Sequence, residues 1–299
     1  MKKLILLLLI TISTLASAAH FDVIIPFTPG GGADISFRHF QKYASEHGAE
    51  LVPQYKGGAN GLIGMNAVAA GDSETMVAFS TIAAVAVHRA ANPNYQFTYL
   101  SMTHVPIMAV VTGPNNKLQT YEDLENELKV PSTRLSFGYG SPSQLLLFSQ
   151  LFTNTRRVDQ PEPLLIGYKG AAPAMMDVMS GHVDVAVVPM SVAIQPISSG
   201  NLKLLAITSQ HDTAFKVPSL NKKYKSWRSG EGFLVVLPQG ASSGIVQYWN
   251  RLLRDFLDDE QTKKYAADAF LESVEFGPNT IRDGVYPLVE QLRKLSNRK

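Results

Sequence analysis

Four glycine clusters, each lying between a short apolar run and a helical pattern, constrain this chain more than any other feature. They are "PFTPGGGAD" at 26–34, "YKGGANGLIG" at 55–64, "FGYGSPSQ" at 137–144 and "GYKGAAPAMMD" at 167–177. Short apolar runs alternating with longer helical patterns predict βαβ units and a mostly parallel sheet. In such a sheet the loops beyond the carboxyl ends of the strands gather on one side, where ligands bind.

In the first block "FDVIIPF", "ELVPQY" and "TMVAFS" read as strands, with helices over about 35–47 and 62–70. A second block repeats the pattern: "RLSFGYG", "PLLIGY", "VDVAVVP" and "LKLLAIT" as strands, with helices through "SQLLLFSQLF" and "APAMMDVMSG". Gly181 closes the latter helix where a left-handed residue is wanted. "MAVVTGPNN" leads into the second block, "GEGFLVVLPQGAS" returns from it, and "GIVQYWNRLLRDFLDD" opens a helical end. The simplest architecture has two α/β lobes, the first built from 19–112 and 235–299 and the second, 113–234, inserted into it, with a hinge at the crossings near 113 and 235. One larger doubly wound domain is the alternative that periodicity leaves open.

The first residues, "MKKLILLLLITISTLASAAH", carry two lysines, an apolar run interrupted from Thr11, and a small-residue cleavage signal ending at Ala18 or Ala19. That predicts a secretory signal peptide over 1–18, because a bilayer span needs about 20 apolar residues. Removing Lys2 and Lys3 with it brings the basic and acidic residues into balance, which argues against a nucleic-acid footprint. The chain has no cysteine, so disulfides, zinc thiolates and a cysteine nucleophile are excluded. A soluble periplasmic protein fits these limits.

Glycines let backbone N–H groups approach a ligand, and a helix N-terminus adds unpaired donors and partial positive charge. A strand, a glycine loop and a helix therefore make an anion seat. The loop at Gly30 to Gly32 matches neither the dinucleotide fingerprint nor a P-loop, since Ile35 stands where the former needs glycine and no Gly-Lys-Ser/Thr follows. A plain turn, with Asp34 as a helix cap, is the reading for this loop alone. Four such loops, two in each block, point instead to an anion held between lobes.

Catalytic and metal readings have little support. His20, His39, His47, His88, His104, His182 and His211 show no metal-ligand spacing, there is no G-x-S-x-G, and no metal or cofactor is expected. Met175, Met176 and Met179 read as core packing beside Ala174 and Val178. Trp227 and Trp249 are assigned to no pocket.

Taken in order along the chain, "IIPFTPGGGADISFR", "GGANGLIGMNAVAAG", "GYKGAAPAMMDVMSGHVDVAVVP" and "ISSGNLKLLAIT" resemble the Bug family, the extracytoplasmic substrate-binding receptors of tripartite tricarboxylate transporters. The resemblance implies a two-lobed type II periplasmic binding protein fold with an interdomain ligand cleft, no chemistry of its own, and a small carboxylate as ligand. It places Gly31, Gly32, Ala33 and Asp34 in a first-lobe jaw with Phe27, and Tyr168, Lys169, Gly170 and Ala171 in the second. Asn60, Ser80, Gly140 and Ser141 complete the expected site. Family members usually carry Thr where Ala33 stands and Pro where Gly167 stands. Lys56, Lys169 and Arg38 are either contacts for a second carboxylate or solvated surface charges. The expected partners are the ligand and, transiently, membrane transporter subunits, met by a monomer. Handing the closed form to a signalling protein is the alternative, and an exported enzyme acting on a small acid is a further one.

Overall fold

The structure, a computed structural model, describes residues 19–155, 163–209, 215–224 and 232–296. The expected signal peptide, His211 and Trp227 lie outside the described residues.

The chain opens with β1 (Ala19–Ile25), α1 (Gly32–Glu46), β2 (Ala49–Tyr55), a 3-10 turn, α2 (Leu62–Ala69), β3 (Met76–Thr81), α3 (Ile82–Ala91) and β4 (Thr98–Pro106). It continues through β5 (Met108–Thr112), α4 (Tyr121–Leu128), β6 (Ser136–Tyr139), α5 (Pro142–Thr155), β7 (Leu164–Gly167), α6 (Ala171–Met179), β8 (Val185–Pro189), α7 (Met190–Ser198), β9 (Lys203–Thr208) and α8 (Leu220–Lys223). Then come β10 (Phe233–Leu237), α9 (Ser243–Asp258), α10 (Glu260–Asp268), β11 (Leu271–Ser273) and α11 (Pro278–Ser296).

Two sheets result, one per lobe, in the orders β11-β4-β10-β3-β1-β2 and β7-β6-β8-β5-β9. Both are mixed, which corrects the expectation of a mostly parallel sheet. The strands β1, β2 and β3 are parallel, as are β6, β7 and β8, because each is followed by a crossover helix. In each sheet an interior strand runs against both neighbours: β10 between β3 and β4, and β5 between β8 and β9. These are the strands that carry the chain into each sheet from the other lobe, so they enter without a βαβ crossover. Strand membership changes sheets between Pro106 and Met108 and changes back between Thr208 and Phe233. Both changes fall ahead of the positions 113 and 235 read from the pattern.

Helix α1 begins at Gly32, three residues before the sequence reading placed it; α3, β4, α7 and α8 have no counterpart in that reading, and β11 interrupts the end read as helical. Gly181 does take the left-handed conformation, with φ +80. Its N–H bonds to Val178 O and that of His182 to Asp177 O, closing the Schellman pattern.

The first lobe's core gathers Phe37, Phe40, Phe79, Trp249 and Phe256. Helix α9 supplies Trp249, Leu252, Leu253 and Phe256 from one stripe, at the spacing of an amphipathic helix. The second lobe has a cluster on each face of its sheet, around Phe137, Phe148 and Leu151 on one side and Met190, Val178 and Ile207 on the other. Met175 is buried, Met179 is partly buried and packed, but Met176 is exposed, so only two of the three methionines serve the core. Across the lobes, Leu146 of α5 joins the first core, and Ile35 of α1 packs on the second lobe's cluster.

Candidate functional site

Five helices begin around one small cavity between the lobes. Gly31, Gly32 and Ala33 line it from the start of α1, and Thr81 from the cap of α3. From the second lobe come Gly140, Ser141 and Gln144 at the start of α5, Ala171 at the start of α6, and Pro189 at the cap of α7. Phe27 and Phe233 close it with aromatic rings. Each helix follows the carboxyl end of a parallel strand, so sheet topology aims all five N-termini inward. Each presents about half a positive charge there.

The five starts differ in how their donors are used. Thr81 accepts from Ala84 N–H at 3.3 Å, and Ser141 Oγ accepts from Gln144 N–H at 3.3 Å, so α3 and α5 are capped by their own side chains. The starts of α1, α6 and α7 have no side-chain cap. Gly31, Gly170 and Pro189 stand at those caps, and none carries a side-chain hydrogen-bonding group.

Glycine is dictated here by close approach. A Cβ on Gly32 would lie 2.6 Å from Pro189 Cγ and 3.2 Å from Phe233 Cζ. A Cβ on Gly140 would land on the Gly170 carbonyl, and one on Gly170 would come within 2.5 Å of Thr28 Oγ1. Thr28 Oγ1 is itself buried without a hydrogen-bond partner among the described residues. The first-lobe loop after β1 thus rests on the second-lobe loop before α6. With the lobes at this distance the cavity has a volume of ≈ 30 Å³, room for about one water.

Asp34 is buried, but its carboxylate is turned to its own loop. It accepts from Gly30 N–H at 2.7 Å and Tyr55 O–H at 2.7 Å, and pairs with Arg38 Nε at 3.0 Å. Burial, followed by the bond to Asp34, pushes the Tyr55 phenol up to about 12, so it stays a donor. Asp34 thereby fixes the α1 start while Arg38, whose side chain is 62% exposed, lies outside the cavity lining. Tyr168 has a comparable bond: its O–H donates to Asp177 Oδ2 at 2.6 Å, and burial plus that carboxylate push the phenol up to about 12.

Of the expected site residues, Phe27, Gly31, Gly32, Ala33, Gly140, Ser141 and Ala171 come together on the cavity. Gly170 caps α6 beside it. Asp34, Asn60, Ser80, Tyr168 and Lys169 are not on its lining. Asn60 and Lys169 are exposed, and Ser80 Oγ donates to Met65 Sδ at 3.3 Å beneath the sheet. Lys56 is also off the lining. The sequence reading missed Thr81, Gln144, Pro189 and Phe233. Strand alternation, which puts Thr81 and Ser80 on opposite faces, was the available signal for the first. No group of histidines or acids capable of holding a metal ion occurs among the described residues.

Comparison with known proteins gives a consistent answer. The model of the tripartite tricarboxylate transporter family receptor matches residues 37–280. The protein BugT of Bordetella pertussis is 29% identical over 256 residues, covering 81% of this chain and 78% of its own. Among solved structures, the periplasmic binding protein BugD superposes with a TM-score of 0.78 at 21% identity, over 92% of this chain and 97% of its own. An R. palustris protein solved with adipate gives 0.79 at 18% identity, over 93% and 96%. The two structural likenesses establish the two-lobed periplasmic binding protein fold.

Proposed function

The chain belongs to the tripartite tricarboxylate transporter receptor family, and from that premise we propose that it is a periplasmic receptor that captures a small organic carboxylate between its lobes and presents it to membrane transporter subunits. The observation that carries the ligand class is the convergence of five helix N-termini, from both lobes, on one cavity. A relative solved with adipate is in keeping with it.

In this reading the lobes divide where the strands change sheets and swing about those two crossings. A carboxylate enters the open cleft and takes hydrogen bonds from the uncapped amides at the starts of α1 and α6, around Gly32, Ala33, Gly170 and Ala171. Because helix geometry already orients those amides, little ordering entropy is lost on binding, and donors to a charged oxygen bind more strongly than those to a neutral one. Ser141 and Thr81 line the cavity with hydroxyls whose oxygens already cap α5 and α3. Asp34, Tyr168 and their partners act behind the jaws, holding loop shape. Closure then joins the two lobe surfaces into the form that the membrane partner meets.

A thermal-shift screen of the mature protein against organic acids and amino acids tests this. A ligand at 100 times its Kd adds about 2.7 kcal/mol, a rise in Tm of about 5–10 °C for a protein of this size. If no carboxylate shifts the transition while a neutral compound does, the anion reading fails.

A further inference from the structure

The cavity contains one side-chain donor that the fold leaves unused. Gln144 is 3% exposed and lines the cavity. Its Oε1 accepts from Gly140 N–H at 2.6 Å, which settles which end of the amide faces the loop. The Nε2 end makes no hydrogen bond among the described residues, while the backbone N–H of Gln144 is satisfied by Ser141 Oγ. The residue is otherwise buried, so the Nε2 donors open onto the cavity, where water meets them until a ligand supplies an acceptor. The Gly140 bond holds the group in place, so those donors belong to the cavity.

The rest of the lining decides what that acceptor is. No lysine, arginine or histidine lines the cavity; beyond backbone and hydroxyl groups it offers the rings of Phe27 and Phe233, Pro189 and two alanines. Arg38, one turn along α1 from the first jaw, is exposed and already paired with Asp34. The uncapped helix starts can balance one carboxylate. A second one would be taken out of water with no opposing side-chain charge, which is unfavourable. A neutral oxygen would meet the Gln144 donors without that cost.

We infer that Gln144 is the residue that selects the ligand's second functional group, and that the site prefers a small monocarboxylate bearing an uncharged oxygen acceptor, an amide, ketone or hydroxyl, over a dicarboxylate of the same length. This rests on the carboxylate reading of the site. The first group is held by the helix starts, and the second by Gln144 Nε2 from the second lobe. Since the starts of α1 and α6 that hold the first group belong to different lobes, the full set of contacts forms only on closure.

Three probes of one chain length separate the parts: succinate, succinamate and butyrate, each titrated calorimetrically into the mature wild-type protein and into Gln144→Met. The expected order in the wild type is succinamate tightest, by about tenfold over butyrate, the worth of one good neutral hydrogen bond. Gln144→Met, of similar length but without donors, is expected to bring the succinamate-to-butyrate ratio near one. Tighter binding of succinate than of succinamate by the wild type overturns the neutral-acceptor class. An unchanged succinamate preference in Gln144→Met overturns the assignment of Gln144. If none of the three acids binds and none of a wider carboxylate panel does, the underlying carboxylate reading fails along with this one. Should Gln144→Met fold poorly, judged by its melting curve, the wild-type succinate-to-succinamate order still decides the ligand class.

Discussion

Gly32→Ala places a single methyl at the point where the two lobes meet. The added Cβ would sit 2.6 Å from Pro189 Cγ, 2.9 Å from Pro189 Cβ and 3.2 Å from Phe233 Cζ, whereas ordinary contact starts at 3.4 Å. Pro189 is a ring at the end of an interior strand, so it cannot turn aside as a flexible side chain does. The lobes must stop short by up to about 0.8 Å, the difference between 2.6 and 3.4 Å, or accept an overpacking cost of about 1–3 kcal/mol. The Pro189 clash falls on the closed form alone, whereas Phe233, in the same lobe as Gly32, needs to give by only about 0.2 Å, the difference between 3.2 and 3.4 Å, in either form. At about 1.4 kcal/mol per factor of ten, the ligand dissociation constant should rise roughly 5- to 150-fold. The lobe carrying the mutation should not suffer, because alanine is the better helix former at a first-turn position. The assay is calorimetric titration with a carboxylate from the screen, with small-angle scattering of the same samples to read compaction. Gly244→Ala, in the first turn of α9 with only Ser242 Oγ nearby at 3.8 Å, is the control for a bare glycine-to-alanine change. Binding within twofold of wild type, with full ligand-induced compaction, would refute the view that binding requires the lobes to approach this closely.

Three further expectations follow from other parts of the fold. His104 is buried beside the Phe256 ring with Nδ1 unpartnered; burial, and secondarily His39, push its imidazole down to about 4 from an ordinary 6.5. The unfolded chain therefore takes up a proton below 6.5 that the folded one declines, and stability should fall as pH drops from 6.5 toward 4, by at most about 3 kcal/mol, in urea titrations; a His104→Gln protein with an equally steep profile would locate the effect elsewhere. Asp34→Ala strands the Gly30 amide and the Tyr55 hydroxyl and should cost about 2–4 kcal/mol in chemical denaturation, whereas Arg38→Ala, removing an exposed partner, should cost under about 1 kcal/mol; equal losses for the two would contradict the role given to the loop contacts. Sequencing the N-terminus of protein recovered from the periplasm of an expressing cell should begin at Ala19 or His20, and an intact Met1 there would argue against cleavage.

The parts of the fold visible in the sequence are those with local causes. Strand, glycine loop and helix follow one another within a few residues, so all four loops were found, and their glycines sit where backbones crowd. What depends on the other lobe left no local trace. Nothing around Pro189 or Phe233 reveals that these residues close a cavity opposite Gly32, since both belong to apolar runs that read as ordinary buried strands. The antiparallel placement of β5 and β10 is likewise a consequence of where the chain crosses, and periodicity does not encode direction. Asp34 shows a different limit: its place at a helix start was legible, but the pull of Tyr55 and Gly30 on its carboxylate depends on the neighbouring strand. Gln144 was in plain view three residues after a serine cap, and only its burial exposed the second use of its amide.

The interior position of β10 has a bearing on how the molecule comes into being. The second sheet is assembled from strands between Met108 and Thr208, an unbroken stretch that is complete before Phe233–Leu237 emerges. The first sheet is not: between β3 and β4, which emerge early, it holds a strand supplied by Phe233–Leu237. Until that strand arrives, β3 and β4 have unpaired edges and the apolar residues around them lack a lid, the kind of surface on which unfinished chains aggregate. The inserted lobe can therefore fold first on emergence, and the lobe that contains the N-terminus must wait. On the export route proposed for this chain, that order leaves its earliest segments dependent on chaperones for longest.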